Sequence, residues 1–161
     1  MDKTQQRAIG YAVILIIISF TTSFVQAQQS VSHEKIYAQQ LVDETVARYP
    51  AVKNVELAVD SDTGCATIAA TDPKDIGEQC DADEIGPVRT GQPNVAEPTR
   101  DDITQALHDA SGTLIGAVGM DLAPQPGQDR TAMVTRAREI LQDLESRIPS
   151  KSKLYEPVSS R

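Results

Sequence analysis

Residues 55–70 read VELAVDSDTGCATIAA, and their alternation sets the fold class. In the first half, apolar side chains recur at every second position, which is typical of a β-strand with one buried face: Val55, Leu57 and Val59. The DSDTG that follows favours a tight turn. A second strand over Cys65–Ala70 then returns beside the first and carries three apolar side chains on one side, Ala66, Ile68 and Ala70. The segment therefore predicts a β-hairpin.

A second hairpin is predicted further along the chain. Residues 103–107 alternate in the same way, residues 109–112 (DASG) supply a turn, and Thr113–Leu122 forms the return strand. On the return strand Gly116 shares one face with four apolar side chains: Leu114, Val118, Met120 and Leu122. A glycine inside a strand indicates a bend, a bulge or a close approach of another group to the backbone.

Three helical segments accompany the hairpins. Apolar positions spaced three and four residues apart predict a first helix over His33–Tyr49. Residues 81–84 (DADE) fit a capping box that opens a short helix, and Gly91 is a suitable terminator for it. The last helix has its apolar stripe over Met133–Ile148.

The first 27 residues have the layout of a secretory signal peptide. Lys3 and Arg7 give a positively charged start, an apolar run extends to Phe20, and small residues at Val25 and Ala27 predict cleavage after Ala27. An uncleaved membrane anchor is the alternative, although the apolar run is shorter than the roughly 20 residues that a spanning helix needs. Cleavage predicts a periplasmic or secreted protein without stable membrane insertion.

The order of these elements predicts an α+β domain. Hairpins favour an antiparallel sheet, here of four to five strands, and helices at both ends of the domain flank it. Removal of residues 1–27 leaves 134 of the 161 residues, the size of one ordinary domain. We expect the domain to occupy residues 28–149 and residues 150–161 to form a flexible polar tail.

The acidic charge argues against a nucleic-acid partner. The chain has a formal net charge of −8, and residues 1–27 contribute +1 from Lys3, Arg7 and Asp2, so the remainder carries −9. An acidic protein gains nothing from counterion release on DNA or RNA. Anionic lipid surfaces would repel it as well.

Two cysteines, Cys65 and Cys80, lie in the exported part of the chain. An even count in an oxidising compartment predicts one disulfide, which would close a loop of 16 residues and contribute roughly 3 kcal/mol to stability. An inert buried pair, a reactive thiol and a metal-binding pair remain the alternatives. Nothing in the spacing supports the reactive thiol, since the chain has no Cys-x-x-Cys motif and no histidine close to either cysteine.

Three stretches carry a resemblance to a known family. Residues 70–77 read ATDPKDIG, residues 109–119 read DASGTLIGAVG, and the helical stretch Met133–Ile148 ends in LESRI. They resemble, in turn, the Asp-x-x-x-Ile-Gly turn, the final sheet hairpin and the terminal helix of the extracytoplasmic PAS-like, or Cache, sensor domains of bacteria. The likeness covers about residues 41–148 and departs at residues 93–100, a short proline-bearing stretch where a third strand would stand.

The resemblance implies a five-stranded antiparallel sheet that holds a small molecule between one face and the crossing helix. Such domains are usually joined to a transmembrane signalling segment, and we expect none after Ile148. The resemblance thus implies a free ligand-binding or accessory module that reports through a membrane-bound signalling partner. Four candidate ligand-binding residues follow: Arg89, Arg100, Gly116 and Asp121.

Each candidate has a chemical reason and an ordinary alternative. Arg89 or Arg100 could clamp a carboxylate with two parallel hydrogen bonds, or pair with nearby surface carboxylates. Asp121 could bind an amine, or face water. Gly116 would allow a ligand to approach the backbone.

Metal and catalytic motifs are weak. The Asp60–Gly64 turn lacks the third oxygen ligand and the distal glutamate of a calcium loop. His108, with Asp109 beside it, could be a base, but an exposed position at a strand end is the simpler interpretation. We therefore expect no metal and no cofactor.

The sequence predicts an exported small-molecule-binding sensor or accessory module without catalytic activity. The alternatives are a hydrolase or thiol enzyme that uses Cys65, Cys80 or His108, and a structural protein-interaction domain.

Overall fold

A four-stranded antiparallel sheet forms the centre of the computed structural model, which describes residues 34–62, 64–92 and 102–158. Ala27 and Arg100 lie outside these residues, so the predictions for them are not addressed by the fold. In chain order the elements are α1 Tyr37–Arg48, β1 Val52–Ser61, β2 Gly64–Ala70, α2 Ala82–Thr90, β3 Asp102–His108, β4 Leu114–Leu122, α3 Arg130–Glu145 and a 3-10 helix at Lys151–Tyr155.

The strands are arranged in the order β2-β1-β4-β3, so the two predicted hairpins are joined through β1 and β4. Every neighbouring pair is antiparallel. With α1 and α3 at the two ends of the domain, the predicted α+β class and its antiparallel sheet with flanking helices are confirmed. Among the described residues the sheet has four strands, the lower number of the predicted range.

One face of the sheet carries the apolar core. The register places Val55, Leu57 and Val59 of β1 opposite Met120, Val118 and Gly116 of β4. These side chains pack with buried residues of α1 and α3 that include Leu41, Val42, Ile140 and Leu144. Full burial of each such side chain contributes about 1.5–3 kcal/mol, which makes this layer the main source of stability. The opposite face is the one that α2 contacts, at β3 and β4.

A β-bulge in β2 alters the predicted alternation. Leu57 pairs with Ala69 and Ala58 pairs with Thr67, so Ile68 has no partner in register. The predicted grouping of Ala66, Ile68 and Ala70 on one side is therefore wrong. Beyond the bulge Ala69 enters the core, and Ala70 lies opposite Glu56 on the other face.

The residues just before α1 pair with the residues that follow the 3-10 helix. Ile36 forms a bridge with Pro157, and the Tyr37 amide donates to the Glu156 carbonyl at 2.9 Å. This pairing starts α1 at Tyr37 instead of His33. The side chain of Leu154 is fully buried. The expectation of a flexible tail after residue 149 is therefore corrected for residues up to 158, because they complete the core beside α1.

Gly116 marks the tightest contact between the two central strands. A Cβ atom built there would overlap the Ala58 carbonyl oxygen and lie 3.0 Å from the Ala58 carbonyl carbon. At Gly119, three residues along the same strand, a Cβ atom would meet only the Glu56 Cβ, at 3.9 Å. Of the bend, bulge or close approach predicted for the glycine at position 116, the structure shows a close approach, and it is between the backbones of β1 and β4.

We expect Gly116→Ala to lower the free energy of unfolding by about 1–3 kcal/mol, because the added methyl group forces β1 and β4 apart. Gly119→Ala is the matched control and should change stability by much less. Urea denaturation of both variants measures the difference. Equal losses would show that strand propensity, and not the contact with Ala58, accounts for the glycine.

Candidate functional site

The sheet face opposite the core contributes to a small cavity beside the start of α2. Its volume is about 190 Å³, which corresponds to the share of roughly six water molecules. The cavity is lined by two groups of residues: Asn54, Glu56, Asp102, Thr104, Gly119, Met120 and Asp121 from the sheet, and Asp81, Asp83 and Glu84 from the beginning of α2.

The strand register builds the floor of this cavity in two rows. Asn54, Asp121 and Asp102 lie side by side across β1, β4 and β3. Glu56, Gly119 and Thr104 form the next row. Gly119 has no side chain at the middle of its row, so the floor is open there. The same period of two that buries Val55 and Leu57 therefore carries Asn54 and Glu56 to the cavity.

The capping box of α2 builds the wall. The Asp81 carboxylate accepts from the Asp83 amide at 2.7 Å, and the Glu84 carboxylate accepts from the Asp81 amide at 2.8 Å. Both interactions satisfy backbone N–H groups that the helix itself leaves without partners. The capping box and the end of α2 at Gly91, which has a φ of 68°, confirm the sequence prediction for this helix.

The cavity is strongly acidic. Burial raises the pKa of Glu56 above 4.5, and the charges of Asp75, Glu84 and Asp121 raise it further, against the hydrogen bond from Asn54. Burial also raises the pKa of Glu84, assisted by the surrounding aspartates. Among the described lining residues there is no lysine and no arginine. A cation that enters the cavity would therefore relieve unfavourable charge.

The structure separates the three candidate ligand residues that it describes. Asp121 lies in the acidic cavity. Gly116 is buried against Ala58, on the side of the sheet that carries the core. Arg89 is exposed in the last turn of α2 and does not line the cavity, and Arg100 lies outside the described residues. Sequence reasoning missed Glu56 and Glu84, although the alternation of β1 and the capping box were both recognised.

Cys65 and Cys80 form a disulfide, as predicted. It links β2 to the residue before Asp81, the N-cap of α2. The backbone of the two segments pairs as well, since the Cys80 amide donates to the Cys65 carbonyl at 3.0 Å. The disulfide therefore fixes the wall of the cavity to the sheet, and it is compatible with an oxidising compartment.

His108 has a partner that the sequence did not suggest. Its Nδ1 lies 2.9 Å from Glu145 Oε1 on α3, and its backbone N–H donates to the same oxygen at 2.7 Å. Asp109, the neighbouring carboxylate in the sequence, accepts from the amides of Ser111 and Thr113 in the turn. In the described part of the chain, no group of three or more His, Cys, Asp or Glu side chains could hold a metal ion.

No protein-family model and no curated protein matches the sequence. Among solved structures, the chain is similar to the inducer-binding domain of the PobR transcription factor from Acinetobacter, a double mutant in complex with 3-hydroxybenzoic acid. The similarity has a TM-score of 0.43 and 9% identity, and it covers 70% of this chain and 95% of that one. No conclusion about ligand or family rests on a similarity of this degree.

Over the described residues, no helix has the length and apolar character needed to span a bilayer.

The raised pKa of Glu56 predicts that the stability difference between Glu56→Gln and the wild type depends on pH. The folded state holds this proton more tightly than the unfolded state, so the wild type loses stability as the pH rises from 4.5 through the raised pKa. Glu56→Gln keeps an acceptor for Asn54 and removes that loss. Its free energy of unfolding, relative to wild type, should rise between pH 4 and 7 in urea titrations. The surface variant Glu139→Gln is the control, and a parallel rise in it would contradict the assignment.

Loss of the disulfide should destabilise the domain. The double variant Cys65→Ser/Cys80→Ser is expected to lose about 3 kcal/mol, because the unfolded chain regains the freedom of the closed loop. Urea denaturation with and without a thiol reductant measures this loss. Reduction should bring the wild type to the level of the double variant and leave the double variant unchanged. A wild type that does not respond to the reductant would contradict the expectation.

Proposed function

We propose that this protein is an exported PAS-like domain that binds a small organic cation, such as an amine, without catalysing a reaction. The observation that carries the proposal is the acidic cavity between the sheet and α2. The resemblance to extracytoplasmic sensor domains implies a ligand in the same position, between one sheet face and the crossing helix. Asp121, a candidate amine ligand from the sequence, lines this cavity.

The charges of the cavity favour a cation over a neutral or acidic ligand. Glu56 and Glu84 are partly buried, and both resist ionisation because burial and neighbouring carboxylates oppose their negative charge. A bound ammonium group lowers the pKa of both side chains and supplies hydrogen-bond donors to them. The attraction between the ammonium group and the ionised carboxylates of Glu56 and Glu84 would contribute to the free energy of binding.

Export and signalling complete the proposal. Residues 1–27 would direct the chain out of the cytoplasm, and cleavage after Ala27 would free a module that reports through a membrane-bound partner. The disulfide supports this location. It also supports a role without catalysis over the thiol-enzyme alternative, since Cys65 and Cys80 are bonded to each other and neither provides a nucleophile.

Titration with 1,4-diaminobutane tests the ligand class. We expect calorimetric binding that butane-1,4-diol, the neutral analogue, does not show. The affinity should rise as the pH increases from 4.5 through the raised pKa values, since the amines stay protonated up to about pH 10. Glu56→Gln/Glu84→Gln should weaken binding about tenfold or more, and glutamine keeps the capping hydrogen bond at position 84.

The matched control removes two acidic groups elsewhere. Glu34→Gln/Glu139→Gln produces the same change in net charge at exposed positions, and should leave the affinity within about twofold of wild type. Equal weakening in both double variants would show that the diamine responds only to overall charge. Absence of diamine binding, or an equal response to the diol, would overturn the proposed ligand class.

A further inference from the structure

A second cavity lies between the outer strand β3 and helix α3. Its volume is about 220 Å³, and it shares no lining residue with the acidic cavity. Its walls combine two kinds of side chain. Polar groups come from Gln105, His108, Arg138, Gln142 and Glu145, and apolar surface comes from Ala106 and Leu141. We propose that this cavity, the Gln105 cavity, binds the carboxylate of a small organic acid.

The amide of Gln105 is the observation that points to a ligand. Gln105 lies between Ile103 and Leu107 on β3 and is only 2% exposed. Its Nε2 is buried and has no hydrogen-bond partner. A buried donor left in this way costs about 1–3 kcal/mol, so the fold retains it at a loss of stability. Because Gln105 lines the cavity, an acceptor that enters the cavity can supply the missing partner.

His108 lines the cavity in a fixed orientation. Its Nδ1 and its backbone N–H both engage Glu145 Oε1, at 2.9 and 2.7 Å. Two contacts to one oxygen hold the imidazole against α3. A neutral imidazole that donates from Nδ1 keeps Nε2 as a hydrogen-bond acceptor, so the donors to a carboxylate come from the other lining residues.

Arg138 supplies the positive charge. It is exposed on α3 and forms no ion pair with any carboxylate in the described ranges. Arg48 and Arg147, in contrast, are both paired with Asp143. A guanidinium without a partner can bind a carboxylate through two parallel hydrogen bonds. Arg138 and the Gln105 amide thus provide a positive charge and hydrogen-bond donors at one cavity.

The apolar wall limits the rest of the ligand. Leu141 is buried on α3 and Ala106 is buried on β3, so both offer carbon surface to a short aliphatic group. The volume corresponds to the share of about seven water molecules, which suits an acid of a few carbon atoms. The class of ligand that fits both the polar and the apolar side chains of the cavity is a short aliphatic monocarboxylate.

Titration of the ¹⁵N-labelled full chain with isobutyrate tests the assignment by NMR. We expect the Gln105 side-chain amide resonances to shift and saturate, and isobutyramide, the neutral analogue, to leave them in place. Gln105→Leu should weaken isobutyrate binding about tenfold or more while the melting temperature stays equal to wild type or rises, because the buried unpaired donor is removed.

Two arginine variants test the positive charge of the Gln105 cavity and provide a control for it. Arg138→Gln lies at the surface and should also weaken binding about tenfold or more. Arg136→Gln, two residues away on the same helix and outside the Gln105 cavity, should bind isobutyrate within about twofold of wild type. Absence of the amide shift, equal binding of isobutyramide, wild-type affinity in Arg138→Gln, or equal weakening in Arg136→Gln would each overturn the proposal.

Discussion

The pairing of β1 with β4 is the constraint on which the rest of this domain depends. It joins the hairpin near the start of the domain to the hairpin near its end, and places Leu57 opposite Val118. The approach of Ala58 to Gly116 requires a residue without a side chain at that one position. A slip by one residue would turn Glu56 toward the apolar core, so the hydrophobic pattern and the glycine specify the same register.

The division of the sheet into two chemically different faces follows from this register. Successive side chains of β1 point to opposite sides, so Val55 and Leu57 enter the core that α1 and α3 cover, and Asn54 and Glu56 enter the acidic cavity. Stability and the candidate site are therefore encoded in alternate positions of the same strand. Substitutions on one face can alter binding while the apolar layer on the other face stays intact.

Local patterns predicted much of this fold, and long-range contacts account for what they missed. The alternation of Val55–Val59 and the capping box at residues 81–84 depend on near neighbours, and both are confirmed. The bulge at Ile68 depends on the pairing of β2 with β1, and the start of α1 at Tyr37 depends on Pro157, far along the chain. Periodicity within one segment contains no information about such partners.

In the candidate site, too, local properties were predictable from the sequence and long-range contacts were not. Asp121 was recognised as a candidate for binding an amine because its residue type and strand position are local properties. Glu56 gains its importance only when β4 and α2 bring Asp121 and Glu84 close to it. The contact between His108 and Glu145 joins residues 37 positions apart, so no local pattern predicted it.

Carboxylates that repel one another remain together here because other interactions fix their supports. The disulfide holds residue 80 to β2, and the capping box holds Asp81 and Glu84 at the start of α2. The positive end of the α2 dipole partly offsets their charge. The offset is incomplete, since the pKa values of Glu56 and Glu84 stay raised. A ligand that binds only the folded state and relieves this repulsion would stabilise the fold, by an amount that grows with the logarithm of its concentration relative to its Kd. Occupancy of the acidic cavity and the free energy of unfolding would thereby be coupled.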